Sequence, residues 1–354
     1  MKNIMKKMLF FAALASVAFA SCTSDESVFN GAKESKEIKF QSAIYASQTR
    51  AEHDPTLTPV ENFRVAAWLE GKDAFYIREE MTPAGAFVSN NTYYWPTDGS
   101  GLDVAAVSPA TAVNDYVFVT RSAGTAVTDF KFTSANPNPN TTNLMFADYV
   151  KGQKADENST VTLLFRHALA NLHVNVEQAL QEDNGQKLSW EVKINSLTVK
   201  NIKNIGEFQV GWDFNATTED YYWNNLDGNF TWNLVTAPTT IKYSKFTSPG
   251  NHYIVPQQFD AAAPIAIVIN YDIITTYSLN GQTTTVNYDK EVDLSTLKYT
   301  TAAGSNQTLE GFAMNKDITI NVKINPSETL TPITFTVQEE EWGTVSSDPV
   351  INVE

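Results

Sequence analysis

Apolar and polar side chains alternate from Glu37 onward. Ile38, Phe40 and Ile44 are separated by Lys39, Gln41 and Tyr45, the period-two pattern of a strand with one face in a core. The polar residues 47–55 that follow read as an exposed loop. Short apolar runs then recur at 63–69, at Tyr93-Tyr94-Trp95-Pro96, at 104–107 and at 116–119, spaced by Gly, Pro, Asn and Asp. Strands of this length with turn residues between them predict an all-β chain of sandwich type. Residues 161–180 could pass for an amphipathic helix. There Val161, Leu163 and Phe165, then Leu172, Val174 and Val176, keep parity two, so two strands interrupted near His167-Ala168 fit better.

The polar run Gln181-Glu182-Asp183-Asn184-Gly185-Gln186 carries a turn-forming Asn-Gly and is the expected domain junction, dividing residues 37–182 from residues 183–354. Strand-like runs resume at 190–199, 208–210, 230–234, 252–255, 265–271, 317–324 and 333–337. Residues 265–269 are apolar at every position, which predicts a central strand covered on both faces. A last segment, Val350-Ile351-Asn352-Val353, is set off by Asp348-Pro349.

At the other end, Lys2, Lys6 and Lys7 precede an apolar run over residues 8–20. That run is short for a membrane span and has the layout of a secretory signal over residues 1–21. Ala20-Ser21-Cys22 resembles a bacterial lipobox, with Phe19 in place of the usual Leu; lipidation of Cys22 is expected, with an ordinary secretory cleavage nearby as the alternative. Residues 22–36, opening Thr23-Ser24-Asp25-Glu26, are then an acidic tether.

Composition narrows the partners. The 354 residues carry 40 Asp+Glu against 25 Lys+Arg, a net charge of −15 that falls to −18 once the three signal lysines leave. Nucleic acid is excluded as a partner, and a membrane would be held through lipid rather than charge. One cysteine excludes an internal disulfide. No phosphate loop, Gly-x-Ser-x-Gly elbow, His-Glu-x-x-His or Cys-x-x-Cys occurs, so no catalytic residue, cofactor or metal is expected. His167 and His173, six apart, are about 20 Å apart on one strand, too far to share a metal. Adjacent acids at 182–183 and 339–341 read as solvated faces. Tyr221, Tyr222, Trp223 and Trp232 form either a sugar-stacking platform or core packing.

Several of these runs, in order, resemble the fimbrillin family: Ser21-Cys22; Thr49-Arg50-Ala51; Tyr94-Trp95-Pro96 followed by residues 102–109; Asn143-Leu144-Met145-Phe146-Ala147; residues 163–170; Val255-Pro256-Gln257; and residues 335–342. The resemblance implies two transthyretin-like Greek-key β-sandwich domains in tandem and no enzyme activity. It also implies export to the outer membrane and cell surface as a lipoprotein, and assembly into a fimbrium by strand exchange with other pilus subunits. A trypsin-like maturation protease is implied to cut between Arg50 and Ala51, although Arg50 also reads as a plain surface arginine. The removable strand would carry Ile38, Phe40 and Ile44, and the donor strand Val350, Ile351 and Val353. A structural or adhesive pilus subunit is the leading expectation. The alternative is a non-polymerising surface lipoprotein that binds glycans or host proteins through exposed aromatics such as Trp223 and Trp232.

Overall fold

A computed structural model of the chain describes residues 36–44, 62–83, 87–110, 116–122, 125–133, 143–155, 160–179, 188–211, 222–242, 245–249, 252–300, 306–327 and 332–341. Over these residues the protein is all-β, with one 3₁₀ turn at Leu294–Thr296. The stretch where a helix competed is two strands, Thr160–His167 and Ala170–Gln178, broken at Ala168-Leu169. Their period-two parity decides the outcome, because it puts Val161, Leu163 and Phe165 on one buried face.

The first sheet closes on itself. Phe63–Leu69 pairs with Phe75–Pro83, and the order continues through Phe87–Val88, Lys39–Ile44, Thr160–His167, Met145–Ala147 and Leu102–Ser108. Leu102–Ser108 then pairs back to Phe63–Leu69. The interior is filled by residues such as Phe63, Val65, Ala67, Ile77, Leu163 and Phe165. Closure leaves fewer free edges than an open sheet of the same strands.

A second core lies between two further sheets. One runs in the order Lys245–Thr247, Ala170–Gln178, Lys316–Ile324, Ile333–Glu341, Lys298–Thr300 and Asn306–Thr308. The other runs Phe230–Val235, Leu188–Ile202, Ala266–Tyr277 and Thr283–Asp293. Inward side chains of both, among them Leu172, Val174, Ile194, Ile267 and Ile320, form one cluster, the arrangement of a sandwich. A fourth sheet, Trp223–Asp227, Ile205–Gly211, Thr125–Thr133 and Tyr116–Ser122, lies by a middle cluster that includes Phe146, Leu169, Phe208 and Trp223.

The expected junction at 181–186 lies outside the described residues. Pairing crosses it in both directions: Ala170–Gln178, before it, is bonded to Lys316–Ile324, and Ile205–Gly211, after it, is bonded to Thr125–Thr133. Residues 35–354 form one compact unit.

Two expectations are corrected. Tyr93-Tyr94-Trp95-Pro96 is not a strand; it contributes one isolated bridge, Glu37 to Tyr94, flanked by bonds from Ile38 N–H to the Tyr93 carbonyl and from Trp95 N–H to the Lys36 carbonyl. Pro96, without an N–H, cannot extend the ladder. The apolar run 265–269 does lie in a central strand, but it is fully covered on one face only. Ile267 and Ile269 are buried while Val268 is half-buried, because the outer face continues into Asn270 and Asp272, which hydrogen-bond with Asn287.

Candidate functional site

The strand Lys39–Ile44 is the element on which the sequence reading converges. It is bonded along its whole length to Thr160–His167 in parallel register, from Lys39 opposite Thr160 to Ile44 opposite Phe165. Its other flank is joined to Phe87–Val88 by the pair Phe40 and Phe87. The strand is therefore one segment of the closed sheet, with a long ladder on one side and a short one on the other.

Alternation places Phe40 and Ser42 on the inner face, opposite the buried Val161 and Leu163. Beneath them Phe63 packs against Phe87 at 4.5 Å and against Phe165 at 5.2 Å between ring centroids. Ile38 and Phe40 are 7% and 4% exposed, whereas Ile44 is only partly buried. Ile38 and Phe40 are thus the fully buried large anchors, each contributing roughly 1.5–3 kcal/mol on burial, while the small Ala43 is buried as well and Ile44 packs against the same core in part. The sequence pattern passed over Ser42. Its hydroxyl is buried, and its Oγ has no hydrogen-bond partner, which weakens the strand's hold. A cleft of about 300 Å³ opens between this strand and residues such as Met81, Phe87, Asn91 and Tyr93.

The neighbouring strand is well anchored. Arg166 Nε and Nη2 donate to the two Asp148 carboxylate oxygens at 2.6 and 2.8 Å, a bidentate, partly buried pair. At the strand's end His167 Nδ1 lies 2.8 Å from Asn143 Oδ1, and its backbone N–H donates to Asn315 Oδ1 at 3.2 Å. Burial pushes the His167 imidazole down to about 3, so it is neutral. Asn315 sits at φ 61°, in the left-handed region that asparagine tolerates. These polar links from the strand to loop and turn residues have no periodic signature, and sequence reasoning did not find them.

His173 lies on the next strand, apart from His167, with Nε2 3.4 Å from Asp317 Oδ1. Among the described residues no three His, Cys, Asp or Glu side chains come together as a metal site. No helix among them is long and apolar enough to cross a membrane. Trp223 and Trp232, the aromatics of the binding-module reading, are 5% and 2% exposed. That is a correction: neither presents a stacking surface, because each sits at an inward position of its strand, against Phe208 and Phe230 respectively. Cys22, Arg50, Ala51, Val350, Ile351 and Val353 lie outside the described residues.

A family model described as fimbrillin-like matches residues 49–342 of the chain. No curated protein matches it. Among solved structures, a fimbrial protein from Bacteroides vulgatus ATCC 8482 is 14% identical, with 86% of this chain and 99% of that one covered at a TM-score of 0.51, a likeness of fold. A candidate cell adhesion protein from Bacteroides uniformis ATCC 8492 is 15% identical over 86% and 99% of the two chains at a TM-score of 0.47. A fimbrilin from Porphyromonas gingivalis W83 is 12% identical over 86% and 98% at 0.43.

Proposed function

The chain belongs to the fimbrillin-like family, and from that premise we propose that it is a structural or adhesive subunit of a cell-surface fimbria. It is exported to the outer membrane as a lipoprotein through Cys22, is cut between Arg50 and Ala51 by a trypsin-like protease, and polymerises when a strand of another subunit replaces Lys39–Ile44. The tandem of two sandwich domains, with strands interleaved where they meet, is part of the same reading.

The observation that carries it is the placing of Lys39–Ile44 inside a closed sheet, at the N-terminal end of the described fold. Loss of an edge strand would cost a sheet one ladder. Loss of this one leaves two flanks unpaired and uncovers the Val161, Leu163 and Phe165 face, which an incoming extended segment can fill by main-chain bonding and alternate side-chain insertion. In the donor, Ile351 and Val353 supply that alternation, with Val350 on the other face.

Arg50→Ala should block both maturation and polymer formation, read as loss of the oligomer ladder after trypsin treatment. Deleting residues 349–354 should permit cleavage and prevent polymers. Normal polymers from Arg50→Ala would reject cleavage-triggered exchange; normal polymers from the truncated chain would reject only the donor assignment.

A further inference from the structure

Terminal strands of the described sheets are mostly short: Lys245–Thr247 and Asn306–Thr308 have 3 residues, Val150–Gln153 has 4, Trp223–Asp227 has 5 and Tyr116–Ser122 has 7. Thr283–Asp293 has 11. It pairs with Ala266–Tyr277 through an unbroken register from Thr276 opposite Thr283 to Ala266 opposite Asp293, and no other described strand pairs with it. Proline and bulges are absent from it, and the charged side chains that guard a free edge, Asp289, Lys290, Glu291 and Asp293, are confined to its second half.

The direction of its peptide groups follows from both ends of the hairpin. Tyr277 N–H donates to the Gln282 carbonyl, and Leu294 N–H donates to the Ile265 carbonyl. Even-numbered residues between them therefore bond inward, and Thr283, Thr285, Asn287, Asp289, Glu291 and Asp293 turn their N–H and C=O groups to the open side. The same hairpin carries three of the large exposed apolar side chains, Tyr277 at 40%, Leu279 at 83% and Val286 at 50%.

We propose that this edge is a self-association surface, on which Thr283–Asp293 of a second copy pairs antiparallel about a two-fold axis at Tyr288. A second copy is the occupant because full antiparallel overlap of two such edges pairs every outward backbone group of one with an outward group of the other. In the register of full overlap the outward groups meet outward groups: Thr283 faces Asp293, Thr285 faces Glu291, and Asn287 faces Asp289 of the other copy. No like charges stand directly opposite one another, the two Asp289 carboxylates meeting only on the diagonal, and Lys290 lies across from Val286, which its alkyl stem can cover. A one-step shift to centre on Asp289 would oppose two carboxylates. The edge belongs to a different sheet from Lys39–Ile44, so this pairing needs neither cleavage nor strand exchange.

Sedimentation equilibrium of the full-length Arg50→Ala protein, in which exchange cannot contribute, tests it. A concentration-dependent dimer is expected. Thr285→Pro removes an outward N–H and leaves the inward ladder intact, so it should weaken the dimer at least tenfold. Thr285→Glu, facing Glu291, should weaken it several-fold, and Thr285→Arg should tighten it by a similar factor. A protein monomeric up to its solubility limit, or a dimer indifferent to all three substitutions, overturns the proposal. So does a dimer that Thr285→Glu and Thr285→Arg shift in the same direction.

Discussion

The indole N–H of Trp223 donates to the carbonyl oxygen of Ala168 at 2.6 Å. Ala168 lies in the short link between Thr160–His167 of the closed sheet and Ala170–Gln178 of the sandwich, so one buried bond ties the fourth sheet to the crossover between the closed sheet and the sandwich. Trp223→Phe keeps an aromatic ring against Phe208 and strands the carbonyl. It should cost about 1–3 kcal/mol; Trp223→Ala, which also empties the site, should cost about 3–5 kcal/mol. Urea unfolding reads both, and a Trp223→Phe protein as stable as the original would mean that the hydrogen bond contributes nothing.

Gly206 leaves no room for a side chain beside that indole. A Cβ there would stand 2.8 Å from Trp223 Cε3 and 2.9 Å from Val255 Cγ1. Both neighbours are buried, so neither moves freely, and Gly206→Ala should destabilise by about 1–3 kcal/mol through overpacking. Adding Val255→Ala should recover part of that loss, and a double variant whose costs simply add would show that the clash lies elsewhere.

Period-two parity carried the strands in the sequence, and it did so best where it was least ambiguous. Val161, Leu163 and Phe165 against Leu172, Val174 and Val176 identify two strands without reference to partners. Parity is silent on which strand lies beside which. Nothing local in Ala170–Gln178 distinguishes bonding to Lys316–Ile324 from bonding within residues 37–182, because loop closure brings together any apolar faces that fit. Parity is equally silent on burial depth of aromatics: Trp223 alternates the same way whether its face meets solvent or Phe208. In the candidate site, Ile38 and Phe40 were legible as apolar beats, and Ser42 was not, since a small polar residue at an inner position is indistinguishable from a break in the pattern.

Two buried histidines make stability depend on pH. Burial lowers His167 to about 3 and His252 to about 4, against an ordinary value of 6.5. Below pH 6.5 the unfolded chain takes up protons that the folded protein refuses, so these groups withdraw stability as pH falls toward 4. Each contributes a slope approaching 1.4 kcal/mol per pH unit; His252 stops contributing below about 4 and His167 below about 3. His167→Gln removes one titration and should flatten the curve between pH 6 and 4 relative to the unaltered protein. Measuring the difference cancels the carboxylates common to both, and parallel curves would show that His167 is protonated in the fold.

The hold on Lys39–Ile44 can be moved in both directions from adjacent inner positions. Phe40 is an apolar anchor that packs in the interior of the closed sheet; Phe40→Ala should cost about 3–5 kcal/mol. Ser42 acts oppositely. Its buried hydroxyl has no partner, so the desolvation cost of that group is carried without return, and Ser42→Ala removes it while leaving almost the same volume. A gain of about 1 kcal/mol is expected. Because both residues face Val161 and Leu163, the same signs should appear in release of the strand once the chain is cut: slower for Ser42→Ala, faster for Phe40→Ala, followed by the appearance of free N-terminal peptide after trypsin treatment. A Ser42→Ala protein less stable than the original would mean that the hydroxyl does find a partner, and the strand would then be held by polar as well as apolar contacts.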